Sequence, residues 1–317
     1  MIEGIRRIQD MMEREQYVTD RAVATTAFLA MELKKPVLIE GQAGVGKTEI
    51  AKVLATALDT ELIRLQCYEG LDVNTALYEW NYPKQMLRIK MEEGSHRDVT
   101  QQESEIFSDQ FLLKRPLLRA ISNQEKAPVL LIDEVDRADE EFEAFLLEIL
   151  SDFQVTIPEL GTISAKFRPY VVLTSNRTRE LSDALKRRCL YLWIDYPTFD
   201  KELRIVTRKV PGINERLARQ IAMFMQAIRQ VRLNKTPGVA ETLDWAMAMM
   251  ALHQEHLDPE TVSETLGSFI KDRDDVAKLR GKPLDIMLSS MNGVEEEDLQ
   301  AWIQSVTQRL EKEVATR

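Results

Sequence analysis

Cysteine is almost missing from this chain: Cys67 and Cys189 are the two among 317 residues. They have no CxxC spacing and no histidine near either, which excludes a disulfide scaffold and a zinc module. Both read as reduced thiols in or near strands, the usual state in cytoplasm. Histidine is equally scarce, with His96, His253 and His256. The last two fall on one face of an expected helix and read as solvated residues rather than metal ligands. Long apolar runs are absent too. Pro128–Ile132 and Tyr170–Leu173 are strand-sized, far short of the ~20 residues of a membrane span. No basic-then-apolar leader opens the chain, since Ile2–Met12 alternates charged and apolar residues. Positive charge is in deficit: 42 Lys and Arg stand against 52 Asp and Glu, a net −10. That balance argues against a chain that wraps nucleic acid, although it leaves room for a small basic pore.

What remains is the composition of an ordinary soluble protein, 44% hydrophobic and 30% charged, long enough for two domains. Asp20–Leu33 carries Ala24, Ala27, Phe28 and Met31 at helical spacing. Pro36–Glu40 reads as a buried strand running into glycines, Thr48–Leu58 as a helix and Leu62–Gln66 as a strand. Cys67 to about Gln110 is polar, with an amphipathic piece at Met86–Met91. A stretch of that length inside a domain is usually functional. Its aromatics, Tyr68, Tyr78, Trp80 and Tyr82, read as a contact surface or as an excursion packed over the core. Phe111–Asn123 returns to helical period, Val129–Ile132 is a strand and Glu140–Phe153 a strongly amphipathic helix. Phe153–Ile157 and Thr162–Phe167 predict a hairpin. Tyr170–Thr174 and Cys189–Ile194 are strands flanking a helix at Glu180–Arg188. Strands alternating with helices imply a doubly wound parallel sheet. From Lys201 onward only helices are predicted: Lys201–Lys209, Ile213–Val231, Val239–His256, Asp258–Ile270 and Glu295–Ala315. The expected domains are therefore 1–199, α/β with an insert at about 67–110, and 200–317, helical. The methionines Met223, Met225, Met247, Met249 and Met250 are expected in the helical core.

Gly41-Gln42-Ala43-Gly44-Val45-Gly46-Lys47-Thr48 fits G-x-x-x-x-G-K-[ST] between an expected strand and an expected helix. Such glycines let backbone N–H groups turn toward phosphate oxygens, and the helix points its positive end the same way. Lys47 would contact the β- and γ-phosphates of ATP, and the Thr48 hydroxyl would hold Mg²⁺. The strand Val129–Ile132 delivers Asp133, a second Mg²⁺ candidate, and Glu134, placed to polarise the attacking water. Asn176, beyond the strand Val171–Leu173, could orient that water. Arg187 and Arg188 close a helix, where basic residues complement its dipole. Tyr17-Val18-Thr19 is either an adenine-packing segment or a helix entry capped by Thr19 or Asp20.

In order and spacing these motifs resemble the AAA+ superfamily, and within it the MoxR family. Asp133-Glu134-Val135-Asp136-Arg137-Ala138-Asp139, the helix Glu140–Phe153 and the hairpin Gln154–Ala165 carry that resemblance. It implies a P-loop α/β domain followed by a smaller helical lid, and an ATPase acting as a hexameric ring with nucleotide between subunits. Asn176 would then be sensor 1, and Arg188 in preference to Arg187 the finger reaching a neighbour's γ-phosphate. The region 67–110 takes the place of a helix-2 insert directed at the ring pore. Leu65–Asp72 and Tyr78–Tyr82 are similar to a branch acting in maturation of carbon monoxide dehydrogenase and related molybdenum hydroxylases. The resemblance so implies a chaperone-like role on a metalloenzyme client, with a von Willebrand factor A domain partner. A nucleic-acid motor and a slow nucleotide-dependent switch or scaffold are the alternatives. One departure stands out: no arginine occupies Gly238–Leu243, where the family often carries its sensor 2.

Overall fold

The computed structural model describes residues 2–92, 104–291, 293–294 and 298–315. His96 and the middle of the 67–110 region lie outside them. The chain divides into two compact units: 1–15, 19–41 and 47–194 form one, and 16–18, 42–46 and 195–317 the other.

The first unit is built on five parallel strands: β1 (Val37–Gly41), β2 (Leu62–Gln66), β5 (Val129–Asp133), β8 (Tyr170–Ser175) and β9 (Leu190–Ile194), in the order β2-β5-β8-β1-β9. β1 and β5 are buried along their whole length, as central strands covered on both faces must be. The register sets the chemistry. Gln66 pairs with Asp133, Glu40 with Ser175 and Gly41 with Ile194, so the strands end together at one edge. In open parallel sheets that carboxyl edge is where ligands bind.

Helices α1 (Ile2–Arg14), α2 (Arg21–Leu33) and α3 (Lys47–Ala57) belong to the same unit. Asp20 takes the N-cap position of α2 without a side-chain cap bond, and Thr19 is buried. Within 67–110 the chain forms a short α4 (Val73–Ala76), β3 (Tyr78–Trp80) and α5 (Tyr82–Glu92). β3 pairs antiparallel with β4 (Leu112–Lys114). That pairing corrects the expected helix over Phe111–Asn123. Pro116 has no N–H to donate and holds Arg115 extended at ψ 172°, so α6 runs only over Pro116–Ile121.

Of the two readings of the insert's aromatics, Trp80 takes the second, an excursion packed over the core. Trp80 is 7% exposed and edge-on to Phe107 at 5.3 Å, within the core that Leu77, Phe111 and Leu112 share. Tyr78 packs on the same core, whereas Tyr68 and Tyr82 are exposed. Helix α7 (Glu140–Asp152) is capped by the Asp139 carboxylate and stopped by Phe153 in the left-handed region. It leads into the hairpin β6 (Gln154–Ile157) and β7 (Gly161–Ser164), whose second arm ends before the expected Phe167. Helix α8 (Asp183–Arg188) starts at the Ser182 cap.

The second unit is helical: α9 (Phe199–Lys209), α10 (Glu215–Ile228), α11 (Val239–Ala251), α12 (Pro259–Phe269), α13 (Arg273–Leu279), α14 (Lys282–Ser289) and α15 (Leu299–Ala315). Phe224, Trp245 and Phe269 form its aromatic centre, with ring centroids 4.3–5.6 Å apart. Glu202 and Arg229 form an ion pair at 2.6 Å, buried on both sides, with Thr242 donating to the carboxylate. Two expectations change here. His253 adopts φ +54° and Gln254 N returns to Met249 O, which ends α11 at Ala251 and removes both histidines from any shared helix face. Met223, Met225 and Met249 are core, but Met247 is 50% exposed.

Candidate active site

β1, β5 and β8 bring the chemical groups to the carboxyl edge of the sheet. Gly41 closes β1 against the Ile194 carbonyl: a Cβ there would lie 2.2 Å from that oxygen, so only glycine fits. The loop then turns through Gly44 and Gly46 at φ +74° and +91°, into α3. In the second unit the loop's own backbone lies flush on α11. Gly44 O accepts from Val239 N and Ala240 N at 2.9 and 3.2 Å. A Cβ on Gly238 would come within 2.7 Å of Ala43 O. Where sensor 2 was sought, Glu241 instead accepts from Gly238 N at 2.9 Å.

Lys47 opens α3 and is 6% exposed. Its Nζ donates to Gly41 O at 2.9 Å and to Asn176 Oδ1 at 2.7 Å. Burial pulls the ammonium below its ordinary pKa, while the carboxylates of Asp136, Asp133 and Glu134 push it back up. An ammonium shielded from solvent attracts an anion more strongly than one in water. Beside it, Thr48 Oγ1 donates to Asp133 Oδ1 at 3.0 Å. Thr174 Oγ1 donates to the same oxygen at 2.5 Å and accepts from Glu134 N at 3.0 Å. Glu134 sits at φ +54°, ψ +50° without being glycine, a strained conformation of the kind that clusters at working sites. Its carboxylate is 3.9 Å from the Arg137 guanidinium.

Lys47 is thus hydrogen-bonded to Asn176 and its chain neighbour Thr48 to Asp133, with Glu134 tied to Asp133 through Thr174. Arg188 is not part of this cluster: it is exposed at the end of α8 and donates to Leu147 O. Gln42–Gly46 group with the second unit, as does Tyr17-Val18, so the expected adenine segment is divided from Thr19.

Two participants escaped the sequence reading. Asp136, 3% exposed, accepts from Asn176 N (3.2 Å), Thr178 N (2.8 Å) and Thr178 Oγ1 (2.7 Å). It therefore fixes the Asn176 turn from the 3-10 turn Val135–Arg137 that Glu134 caps. Its apolar neighbours Val135 and Ala138 were the available hint that this acid faces inward. Arg64 on β2 reaches Asp133 Oδ2 with Nε at 3.0 Å and Nη2 at 2.6 Å. An arginine alternating with Ile63 and Leu65 looks like a solvated strand face, which hid it.

The donors suit a magnesium ion. Hydroxyl and carboxylate oxygens are the hard ligands it takes, and it binds through one or two such groups plus phosphate oxygens rather than in an all-protein cage. The described residues hold no group of three or more His, Cys, Asp or Glu placed to hold a metal ion among themselves. Nor is any described helix long and apolar enough to cross a membrane.

Comparison with known proteins bears on the fold. Residues 36–189 match the family described as AAA domain (dynein-related subfamily). An uncharacterized protein of Staphylococcus haemolyticus is 24% identical over 226 residues, covering 69% of this chain and 78% of its own. One from Staphylococcus epidermidis is 23% identical over 218 residues, covering 67% and 74%. Among solved structures, a mutant of RuvB from Thermotoga maritima superposes with a TM-score of 0.50 at 19% identity, over 93% of this chain and 89% of that one. That likeness is one of fold: a parallel five-stranded sheet with a helical C-terminal region.

Proposed function

We propose that this chain, whose residues 36–189 match the AAA domain family, hydrolyses ATP at the carboxyl edge of its sheet. The observation that carries the proposal is the cluster itself: Lys47 between Gly41 O and Asn176 Oδ1, with Thr48 on Asp133. Lys47 and the loop N–H groups bind the β- and γ-phosphates. Asn176 exchanges its contact with Lys47 for the attacking water. Glu134 accepts the proton of that water as its oxygen attacks the γ-phosphorus, and ADP leaves with its new terminal charge still opposite Lys47. Thr48 and Asp133 would hold Mg²⁺, which would supply neutralisation of the negative charge on the phosphate oxygens. Phosphate release with magnesium and ATP tests this. Lys47→Ala should weaken nucleotide binding about ten- to a hundred-fold through loss of charge-assisted bonds of about 1.5–3 kcal/mol. Equal affinity in the two proteins would sink the assignment.

The finer proposal rests on the MoxR resemblance of residues 133–165. It makes the chain one subunit of a hexameric ring that remodels a metalloenzyme, with a von Willebrand factor A domain partner and Arg188 completing a neighbour's site. Exposure of Arg188 is what a residue acting in trans requires. Arg188→Ala mixed with Glu134→Gln should regain turnover that neither has alone. Mixed rings that stay inactive would remove Arg188 from that role. A client trapped on the Glu134→Gln ring would identify the substrate class, and nucleic acid in its place would overturn the remodelling reading.

A further inference from the structure

Asp133 has every lone pair in use. Its Oδ1 receives the hydroxyls of Thr48 and Thr174, and its Oδ2 receives both Nε and Nη2 of Arg64. A carboxylate offers about four such positions, so nothing is left for magnesium or a magnesium-bound water. The donors differ in what they can tolerate. A threonine hydroxyl that gives its proton to Asp133 keeps lone pairs for a metal. A guanidinium has none, is permanently charged, and repels a second cation a few ångströms away. The carboxylate is 4% exposed and the guanidinium 51%. One partner is fixed in the core, and the other can swing into water.

From this we propose that Arg64 is an internal counter-cation that competes with magnesium for Asp133, so that loading of the metal requires its displacement. Asp133 carries a positive partner in either state, Arg64 before loading and magnesium after it, and is never a buried unpaired charge. Gln66, two residues along β2, accepts from Arg64 Nη2 and gives the released guanidinium a partner on its own strand. Because ligand couplings are reciprocal, whatever strengthens the Arg64–Asp133 pair raises the magnesium the site demands, and magnesium in turn frees Arg64. The residue is a positioning and gating group, since it need not touch the phosphates.

This inference rests on the phosphate-site reading, and its test separates the two. A fluorescent ADP analogue, which cannot be turned over, is bound to wild type, Arg64→Gln and Arg64→Lys while magnesium is titrated and, separately, in EDTA. In Arg64→Gln the half-saturating magnesium should fall about five- to thirty-fold, the range that loss of one charge-assisted pair gives. Arg64→Lys, which keeps a charge but not the fork, should fall between. Affinity in EDTA should stay unchanged in all three. Manganese bound in the presence of ADP, read by electron paramagnetic resonance, should follow the same order. An unchanged or higher magnesium requirement, with the analogue still bound, overturns the inference alone. Failure of wild type to bind the analogue with or without metal overturns the phosphate-site reading and the inference with it. If Arg64→Gln does not fold, Arg64→Lys decides by the same criterion.

Discussion

Replacing Asp136 by asparagine should leave nucleotide binding nearly intact and cripple turnover. The structure gives the size of the effect. Asp136 Oδ2 accepts from Thr178 N and Thr178 Oγ1, while Oδ1 accepts from Asn176 N. An asparagine can satisfy the first two with its carbonyl oxygen, but its NH₂ then faces the Asn176 N–H, donor against donor. Leaving that buried N–H unsatisfied costs about 1–3 kcal/mol, and the simplest relief is a shift of the Asn176 turn. A displacement of about 1 Å at a group that orients the reacting water costs on the order of 10²-fold in rate. Stability in urea should accordingly drop by about 1–3 kcal/mol, and kcat by about two orders of magnitude, with nucleotide Kd changing only a few-fold. Asp136→Ala, which strips both acceptor oxygens and with them all three bonds, should be worse in stability. Wild-type kcat in Asp136→Asn would show that the Asn176 turn does not depend on this carboxylate.

Trp80→Ala, removing a core ring rather than a surface anchor, should destabilise the protein by about 3–5 kcal/mol, seen in a urea midpoint. No change in that midpoint would return Trp80 to a surface role. Burial pushes the Cys67 and Cys189 thiols up to about 12, so both should resist alkylation at pH 8 until the chain unfolds. The unfolded thiol loses its proton near its ordinary value of about 8.5, whereas the folded one keeps it until about 12. Stability therefore falls as pH rises through that window, by up to about 1.4 kcal/mol per pH unit for Cys67. Cys67→Ala should flatten the dependence, and an identical slope in the variant would count against the buried-thiol account.

The parallel sheet and its site were legible for one reason. The three strands that carry the site, β1, β5 and β8, are short apolar runs ending in or just before an unusual residue, Gly41, Asp133 or Asn176, and such punctuation survives without any knowledge of neighbours. Phe111–Asn123 misled because Leu112, Leu117 and Ile121 are spaced for a helix, while the local veto of Pro116 over Arg115 decides the backbone. Trp80 stayed undecided between surface and core because its partner is Phe107, 27 residues on, and no periodicity links them. Asp136 and Arg64 were hidden for the same reason: each makes its bonds across strands. A single chain read in order gives the spacing of groups along an element, not the register that sets Arg64 diagonal to Asp133. Helices α13 and α14 were missed, no element having been expected between Ile270 and Glu295; both are short, and Pro283, a residue that breaks a helix interior, lies in the first turn of α14 where it is tolerated.

The central claim is that Lys47, Thr48, Asp133, Glu134 and Asn176 form one ATP-hydrolysing site. Glu134→Gln tests it most directly, because the change removes the proton acceptor and leaves every observed contact of Lys47, Thr48 and Asp133 in place. Purified Glu134→Gln, mixed with magnesium and radiolabelled ATP and then quenched and resolved by chromatography, should retain bound nucleotide as ATP long after wild type has converted its own to ADP. Conversion to ADP at the wild-type rate would contradict the account and place the proton acceptor elsewhere.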